Sequence, residues 1–188
     1  MHPVDVPDTD PLLLGLAAGD ERAFAVLYDR FAARMYRAAL RMLGRREDAE
    51  DVIQEVFLAV VRSRERLGEV RDLTAYLFTA MQRAAGRCAA RRARGGPFSP
   101  APADELMAPV ERGAADDGDR PLLQQAIARL PDEQRMVVTL KIDGGLTFAQ
   151  IAQVMGGSIS TAASRYQYAL KKLRASLTTA MSPMEENR

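Results

Sequence analysis

Residues Thr147 to Arg174 read TFAQIAQVMGGSISTAASRYQYALKKLR, and the fold class follows from this stretch. Thr147 and Gln150 stand three apart, the spacing at which each side chain satisfies a backbone group at a helix start. Phe148, Ile151, Ala152 and Met155 then recur at helical spacing, so a short helix with one apolar face is expected. Gly156-Gly157 breaks it, and Ser158 or Ser160 is placed to cap a second, longer helix. In that helix Ile159, Ala162, Tyr166, Ala169 and Leu173 make the inward stripe. Thr161, Arg165, Tyr168 and Lys172 fall at i, i+4, i+7 and i+11 on one outward row. A short helix, a tight glycine turn and a second helix of this kind form a helix-turn-helix, which points to duplex DNA read from the major groove. The plainer alternative is a helical hairpin in a core. The basic run Lys171, Lys172 and Arg174 weighs against it.

Working outward, the same period governs the rest. Pro11 to Ala18 reads as a short helix, and Gly19-Asp20 as a break with a cap. From Glu21 to Leu43 the residues Phe24, Leu27, Tyr28, Phe31, Met35, Ala38, Ala39 and Met42 keep helical spacing, and Gly44 ends the run. Glu47 to Arg62 repeats the pattern with Ala49, Val52, Ile53, Val56, Phe57, Val60 and Val61. Ser63 to Asp72, SRERLGEVRD, is polar and reads as a loop. Leu73 to Arg92 is a third long helix with Leu73, Tyr76, Leu77, Ala80, Met81, Ala84 and Cys88 inward. Gly95 to Gly118 has no sustained period and is rich in Gly, Pro, Ala and Asp, as a flexible linker is. Leu122 to Leu130 and Asp132 to Ile142 are two further short helices. No strand-like alternation persists. The expected architecture is all-α: two small helical domains at 11–94 and 120–178, a linker at 95–119, and a tail at 179–188.

The 188 residues are 47% apolar and 27% charged, a globular composition. No apolar run approaches the roughly 18 residues a membrane span needs. The N-terminal MHPVDVPDTDP lacks the basic-then-apolar layout of a secretory signal, and a single cysteine suits a reducing cytoplasm. The net charge of +1 conceals an uneven distribution. Residues 20–95 carry 16 Lys+Arg against 11 Asp+Glu, and residues 120–178 carry 8 against 3. Between them, residues 96–119 carry 1 against 6. Two basic blocks around an acidic linker predict two separate contacts with a polyanion.

Two further constellations stand out. On the second long helix Asp51, Gln54, Glu55 and Leu58 lie at i, i+3, i+4 and i+7, flanked by Glu47, Asp48 and Glu50. Taken alone, this is either a solvated acidic face favoured near a helix N-terminus or a docking surface for a basic protein. On the third helix Arg83, Arg87, Arg91 and Arg94 form a row with Arg92 beside it. Like charges at i, i+4 cost about 0.2–0.5 kcal/mol per pair, and phosphates would turn that repulsion into affinity. Little here suggests catalysis. His2 has no partner, Cys88 reads as a buried inert thiol, and neither metal-ligand spacing nor a glycine-rich phosphate loop is present. No enzyme activity and no cofactor are expected.

Together these residues resemble the extracytoplasmic-function group of bacterial RNA polymerase sigma factors, over roughly residues 11–178. The most specific piece, Asp48-Ala49-Glu50-Asp51-Val52-Ile53-Gln54-Glu55-Val56-Phe57, is similar to the group's Asp-Ala-x-Asp-hydrophobic-x-Gln-Glu-hydrophobic-Phe signature. The resemblance implies that this helix docks on a coiled coil of the polymerase's largest subunit. Asp48, Asp51, Gln54, Glu55 and Leu58 would make the contact, with Phe57 on the core side. A second match runs through Leu130-Pro131-x-Glu133-Gln134-Arg135, Leu146-Thr147-Phe148-x-x-Ile151-Ala152 and Ser160-Thr161-x-x-Ser164-Arg165. It resembles the group's domain for the promoter −35 element. By that resemblance Ser160, Thr161, Ala163, Ser164 and Arg165 face DNA, with Tyr168 and Lys172 beyond them on the outward row. The third helix and the loop before it would correspond to the −10 reader, through Arg71, Arg83, Arg87, Arg91 and Arg92, with a base captured from the melted strand. The linker would thread towards the polymerase's active-site channel.

Some positions depart from the group's pattern. Tyr76 stands where Trp is usual, Arg83 where Asn is frequent, and Ala162-Ala163 where larger residues are common. Gly86 lies mid-helix at a cost of about 1 kcal/mol against Ala, which points to a close approach or a bend. The implied partners are core RNA polymerase and promoter DNA, with room for an anti-sigma factor, and neither membrane insertion nor a small-molecule substrate. The competing readings are a stand-alone helix-turn-helix regulator and, from another class, a helical protein that sequesters a partner through its acidic face.

Overall fold

The computed structural model describes residues 11–94 and 120–181. His2, the expected linker and the end of the tail lie outside the described residues. Every regular element among the described residues is a helix. α1 (Pro11–Ala18) buries Leu13 and Leu16. Asp20 accepts from the Arg22 amide at 2.9 Å and so starts α2 (Glu21–Leu43), which Gly44 ends in the left-handed region at φ 74°. α2 turns Leu27, Phe31, Met35, Ala38 and Ala39 inward. α3 (Arg46–Arg62) answers with Ala49, Val52, Ile53, Val56 and Val60. Asp72 accepts from the Ala75 amide at 2.9 Å and caps α4 (Leu73–Ala93), which packs on both.

The stretch 63–72 departs from the expected loop. Arg64–Glu69 forms a 3-10 helix, and Leu67, set among charges, is fully buried against the bundle next to α1. One apolar side chain in a polar run is too weak a pattern to read as an element. Three residues of the expected inward stripes also lie outside: Tyr28 is 57% exposed, Val61 45% and Ile159 57%. Each sits at the edge of its stripe, where one-face counting is least selective.

The second half consists of α5 (Arg120–Ala128), α6 (Asp132–Ile142), α7 (Phe148–Met155) and α8 (Ile159–Met181). The capping box is present: the Gln150 amide donates to Thr147 Oγ1 at 3.2 Å, and the Thr147 amide to Gln150 Oε1 at 2.9 Å. Gly156 (φ 69°) ends α7. Of the two candidate serines, Ser158 caps α8, accepting from the Thr161 amide at 3.0 Å. Ala126, Ile127, Leu130, Val138, Ala169 and Leu173 form a small core under α8. The edge-to-face pair Phe148–Tyr166, 5.6 Å apart, fastens α7 to α8.

Val137, Leu140, Leu146, Ile151 and Val154 do not join that small core. They belong to one apolar cluster with Phe31, Phe78 and Met81 of the first half. Phe78 lies off the expected stripe of α4 and is fully buried, because α4 packs against α7 as well as α2 and α3. At the junction a Cβ on Gly144 would stand 2.9 Å from Phe78 Cε1 and 2.6 Å from the Leu140 carbonyl, so no larger residue fits there unchanged.

Gly86 behaves differently from its sequence expectation. α4 runs through it without interruption, and nothing lies within 4 Å of where its Cβ would be. Gly86→Ala is therefore expected to stabilise the protein by roughly 1 kcal/mol, read as a shift of the denaturant midpoint at constant slope.

Candidate nucleic-acid interface

α3 carries the first surface. Asp51, Gln54, Glu55 and Leu58 are all exposed in one row, as the spacing predicts. Asp48 is turned aside: its carboxylate accepts from Arg92 at 2.8 Å and its side chain is only 18% exposed. Glu55 pairs with Arg87 at 2.6 Å, with both side chains largely in solvent. The freest part of the row is thus Asp51, Gln54 and Leu58. An apolar strip beside it escaped the sequence reading. Tyr28 packs on Phe57 with tilted rings, centroids 5.2 Å apart, and exposed Leu58 and Val61 continue the surface.

α4 carries the second. Arg83, Arg87 and Arg91 are exposed on successive turns, and Arg71 is exposed just before the helix. Arg92 is half-buried, held by Asp48 and by the Leu43 carbonyl. A cavity of about 600 Å³ opens between α3, the segment before α4, and α4 itself. Arg71, Tyr76, Arg83 and Arg87 line it, with Glu55 on the α3 side. Tyr76 is half-buried with its hydroxyl 3.3 Å from Ser63 Oγ. An aromatic face, three guanidiniums and one carboxylate around a space of this size suit a planar polar group attached to an anionic chain. Gln153 of α7 completes the rim. Its place there depends on packing between distant segments, which no local pattern reveals.

Cys88 lies below this surface, 5% exposed. Burial pushes its thiol above the ordinary range and the nearby Asp48 carboxylate adds to that, while a hydrogen bond with Arg91 pulls the other way. Its burial agrees with its expected place on the inward stripe of α4.

α8 carries the third surface. Ser160, Ser164, Tyr168 and Lys172 are exposed, while Thr161, Ala163 and Arg165 are half-buried. Ser158 Oγ lies 2.9 Å from Ser160 Oγ and 2.8 Å from Thr161 Oγ1, so the hydroxyls at the helix start are locally ordered. Arg165 pairs at 2.6 Å with Glu133 of the first turn of α6. Pairs exposed to this degree are worth about 0–1 kcal/mol. A phosphate can therefore compete for either Arg87 or Arg165.

Residues 27–95 match the Sigma-70 region 2 family, and residues 120–173 match the Sigma-70 region 4 family. The ECF RNA polymerase sigma factor SigL of Mycobacterium tuberculosis (strain CDC 1551 / Oshkosh) is 35% identical over 167 residues, covering 87% of this chain and 93% of SigL. The ECF RNA polymerase sigma factor SigK of Mycobacterium tuberculosis (strain ATCC 25618 / H37Rv) is 30% identical over 175 residues, covering 89% and 92%. Among solved structures, CnrH in complex with the cytosolic domain of CnrY aligns with a TM-score of 0.64 at 24% identity, covering 89% of this chain and 96% of that one. The sigma factor RpoE in complex with the anti-sigma factor NepR, from Bartonella quintana, aligns at 0.57 and 21%, covering 89% and 92%. At these identities the two structures speak to the fold alone. No described helix is long and apolar enough to cross a membrane.

Proposed function

Because this chain belongs to the extracytoplasmic-function (ECF) RNA polymerase sigma factors, we propose that it binds core RNA polymerase through α3 and places it on a promoter through α4 and α8. It has no chemistry of its own and acts in the cytoplasm with the polymerase. Asp51, Gln54 and Leu58, extended by Leu58's neighbours Val61 and Tyr28, meet the polymerase. Residues 11–94 read the −10 element and residues 120–178 the −35 element. The observation that carries this is the cavity at α4: it puts Tyr76, Arg71, Arg83 and Arg87 around one opening beside the docking row. A base unstacked from the melted strand stacks on Tyr76, and the guanidiniums hold the phosphates on either side.

At the −35 side, Ser160, Ser164, Tyr168 and Lys172 face the duplex with Arg165. Arg165→Ala is expected to lower the salt slope of promoter binding by about one unit, as loss of one phosphate contact does. Binding is measured for the polymerase–protein complex over a salt series. An unchanged slope together with unchanged promoter choice removes Arg165 from the interface. The same assay without polymerase separates the competing DNA-binding reading. A stand-alone regulator binds its site unaided, usually as a dimer on paired half-sites. An anti-sigma factor, such as the one that holds RpoE in the Bartonella quintana structure, is a further partner for the same exposed faces.

A further inference from the structure

The face that α8 leaves open near its start is not the one its spacing suggested. Of the expected row Thr161, Arg165, Tyr168 and Lys172, the first two members are half-buried. Thr161 meets the Ser158 hydroxyl at 2.8 Å, and Arg165 is turned onto Glu133 of α6. Ser160, Ser164, Gln167 and Lys171 are all exposed instead. They fall at i, i+4, i+7 and i+11, within about 60° of one another around the helix and about 100° from the expected row. A helix-turn-helix sets the N-terminal part of its second helix against base edges. Between Ile159 and Gln167, the exposed polar side chains of α8 are Ser160, Ser164 and Gln167.

Of these three, Gln167 has the reach to read a base. Ser160 and Ser164 are short, and their hydroxyls are already engaged, with Ser158 Oγ at 2.9 Å and with the Thr161 carbonyl at 3.1 Å. Small residues there let the backbone approach the groove floor, which the longer Gln167 side chain then meets. The Gln167 amide has no hydrogen-bond partner among the described residues, so binding breaks no contact of its own. Lys171 continues the face one turn on, Lys172 and Arg174 flank it, and α8 contains no acidic residue. These cations suit phosphates, which fix register, and the neutral amide is left for a base edge. A carboxamide presents one acceptor beside one donor. In the major groove adenine offers the complementary pair, N6–H2 and N7, whereas guanine offers two acceptors and each pyrimidine a single hydrogen-bonding group. We propose that Gln167 is a specificity-determining residue of this chain, reading the adenine of one A·T pair in the −35 element through a bidentate contact. This rests on the sigma-factor reading above.

A good bidentate pair discriminates against the wrong base by about 5- to 150-fold. The test uses the full chain bound to core polymerase and a DNA library randomised across the −35 region of a promoter that the complex uses. Bound DNA is recovered and sequenced. The wild type is expected to enrich adenine at one position by about 5-fold or more. Gln167→Ala levels that position and leaves the others enriched. Gln167→Arg moves it to guanine, because a guanidinium donates to both O6 and N7. Both variants put a good helix former at an exposed site, and circular dichroism checks that helicity is unchanged. A profile that neither variant alters overturns the proposal. So does a loss spread evenly over all positions, as removal of a phosphate contact would give. If the wild-type complex uses no promoter, or enriches no −35 sequence, the sigma-factor reading fails and this proposal with it. An enriched element indifferent to Gln167 overturns this proposal alone.

Discussion

Asp51→Arg is expected to abolish polymerase binding while leaving the fold intact. Asp51 is exposed at the centre of the α3 row and makes no ion pair among the described residues, so the described fold does not rest on its carboxylate. Its neighbours are less clean probes, because Asp48 and Glu55 hold Arg92 and Arg87. Reversing a charge at the centre of a docking surface typically costs about 2–4 kcal/mol, or roughly 30- to 1000-fold in affinity. Retention of the variant on immobilised core polymerase, measured beside the wild type, gives the answer. Wild-type affinity in a folded Asp51→Arg protein would place docking elsewhere, with the Tyr28–Phe57–Val61 strip as the next surface to test.

The joint substitution Arg83→Ala, Arg87→Ala and Arg91→Ala carries the second large effect. All three side chains are exposed on one face of α4, and the only ion pair it removes among the described residues is the solvent-exposed one with Glu55. Loss of three phosphate contacts lowers the salt slope by about 2.7 and the affinity for promoter DNA by roughly 10²–10³ near 0.1 M salt. Stability is expected to rise slightly, because like charges on successive turns no longer repel. This also decides between classes. A protein that merely sequesters a partner through its acidic face tolerates the loss of these arginines. A sigma factor does not.

Both surfaces were legible in the sequence because each lies on one helix, and a helix maps sequence spacing directly onto a face. The elements were legible for the same reason. Asp20, Gly44, Thr147 with Gln150, and Gly156 mark ends by local chemistry, and the structure places helix boundaries at them. What stayed hidden depends on contacts between distant segments. Phe78 lies off the stripe from Leu73 to Cys88, so one-face counting left it outside, yet packing against α7 buries it fully. Leu67 is a lone apolar residue among charges. Asp48 and Asp51 look alike in the signature, but only Asp48 meets an arginine 44 residues away. Gly86 shows the converse error: a residue read as making room has only solvent beside it.

The junction between the two halves draws these hidden features together. Gln150 was read only as part of a cap, and Asp143 and Gly144 had no assigned role, yet each bonds the second half of the chain to the first: Gln150 to Asp72, Asp143 to Arg41 and the Gly144 carbonyl to Arg34.

The most direct test of the central reading is transcription from a library of bacterial genomic fragments by purified core RNA polymerase, with and without this protein. The expected result is a set of discrete start sites that appear only when the protein is added, preceded by shared −10 and −35 sequences, and lost with Asp51→Arg. A folded wild-type protein that binds core polymerase and gives no new start site, or that binds promoter DNA equally well without polymerase, would contradict it.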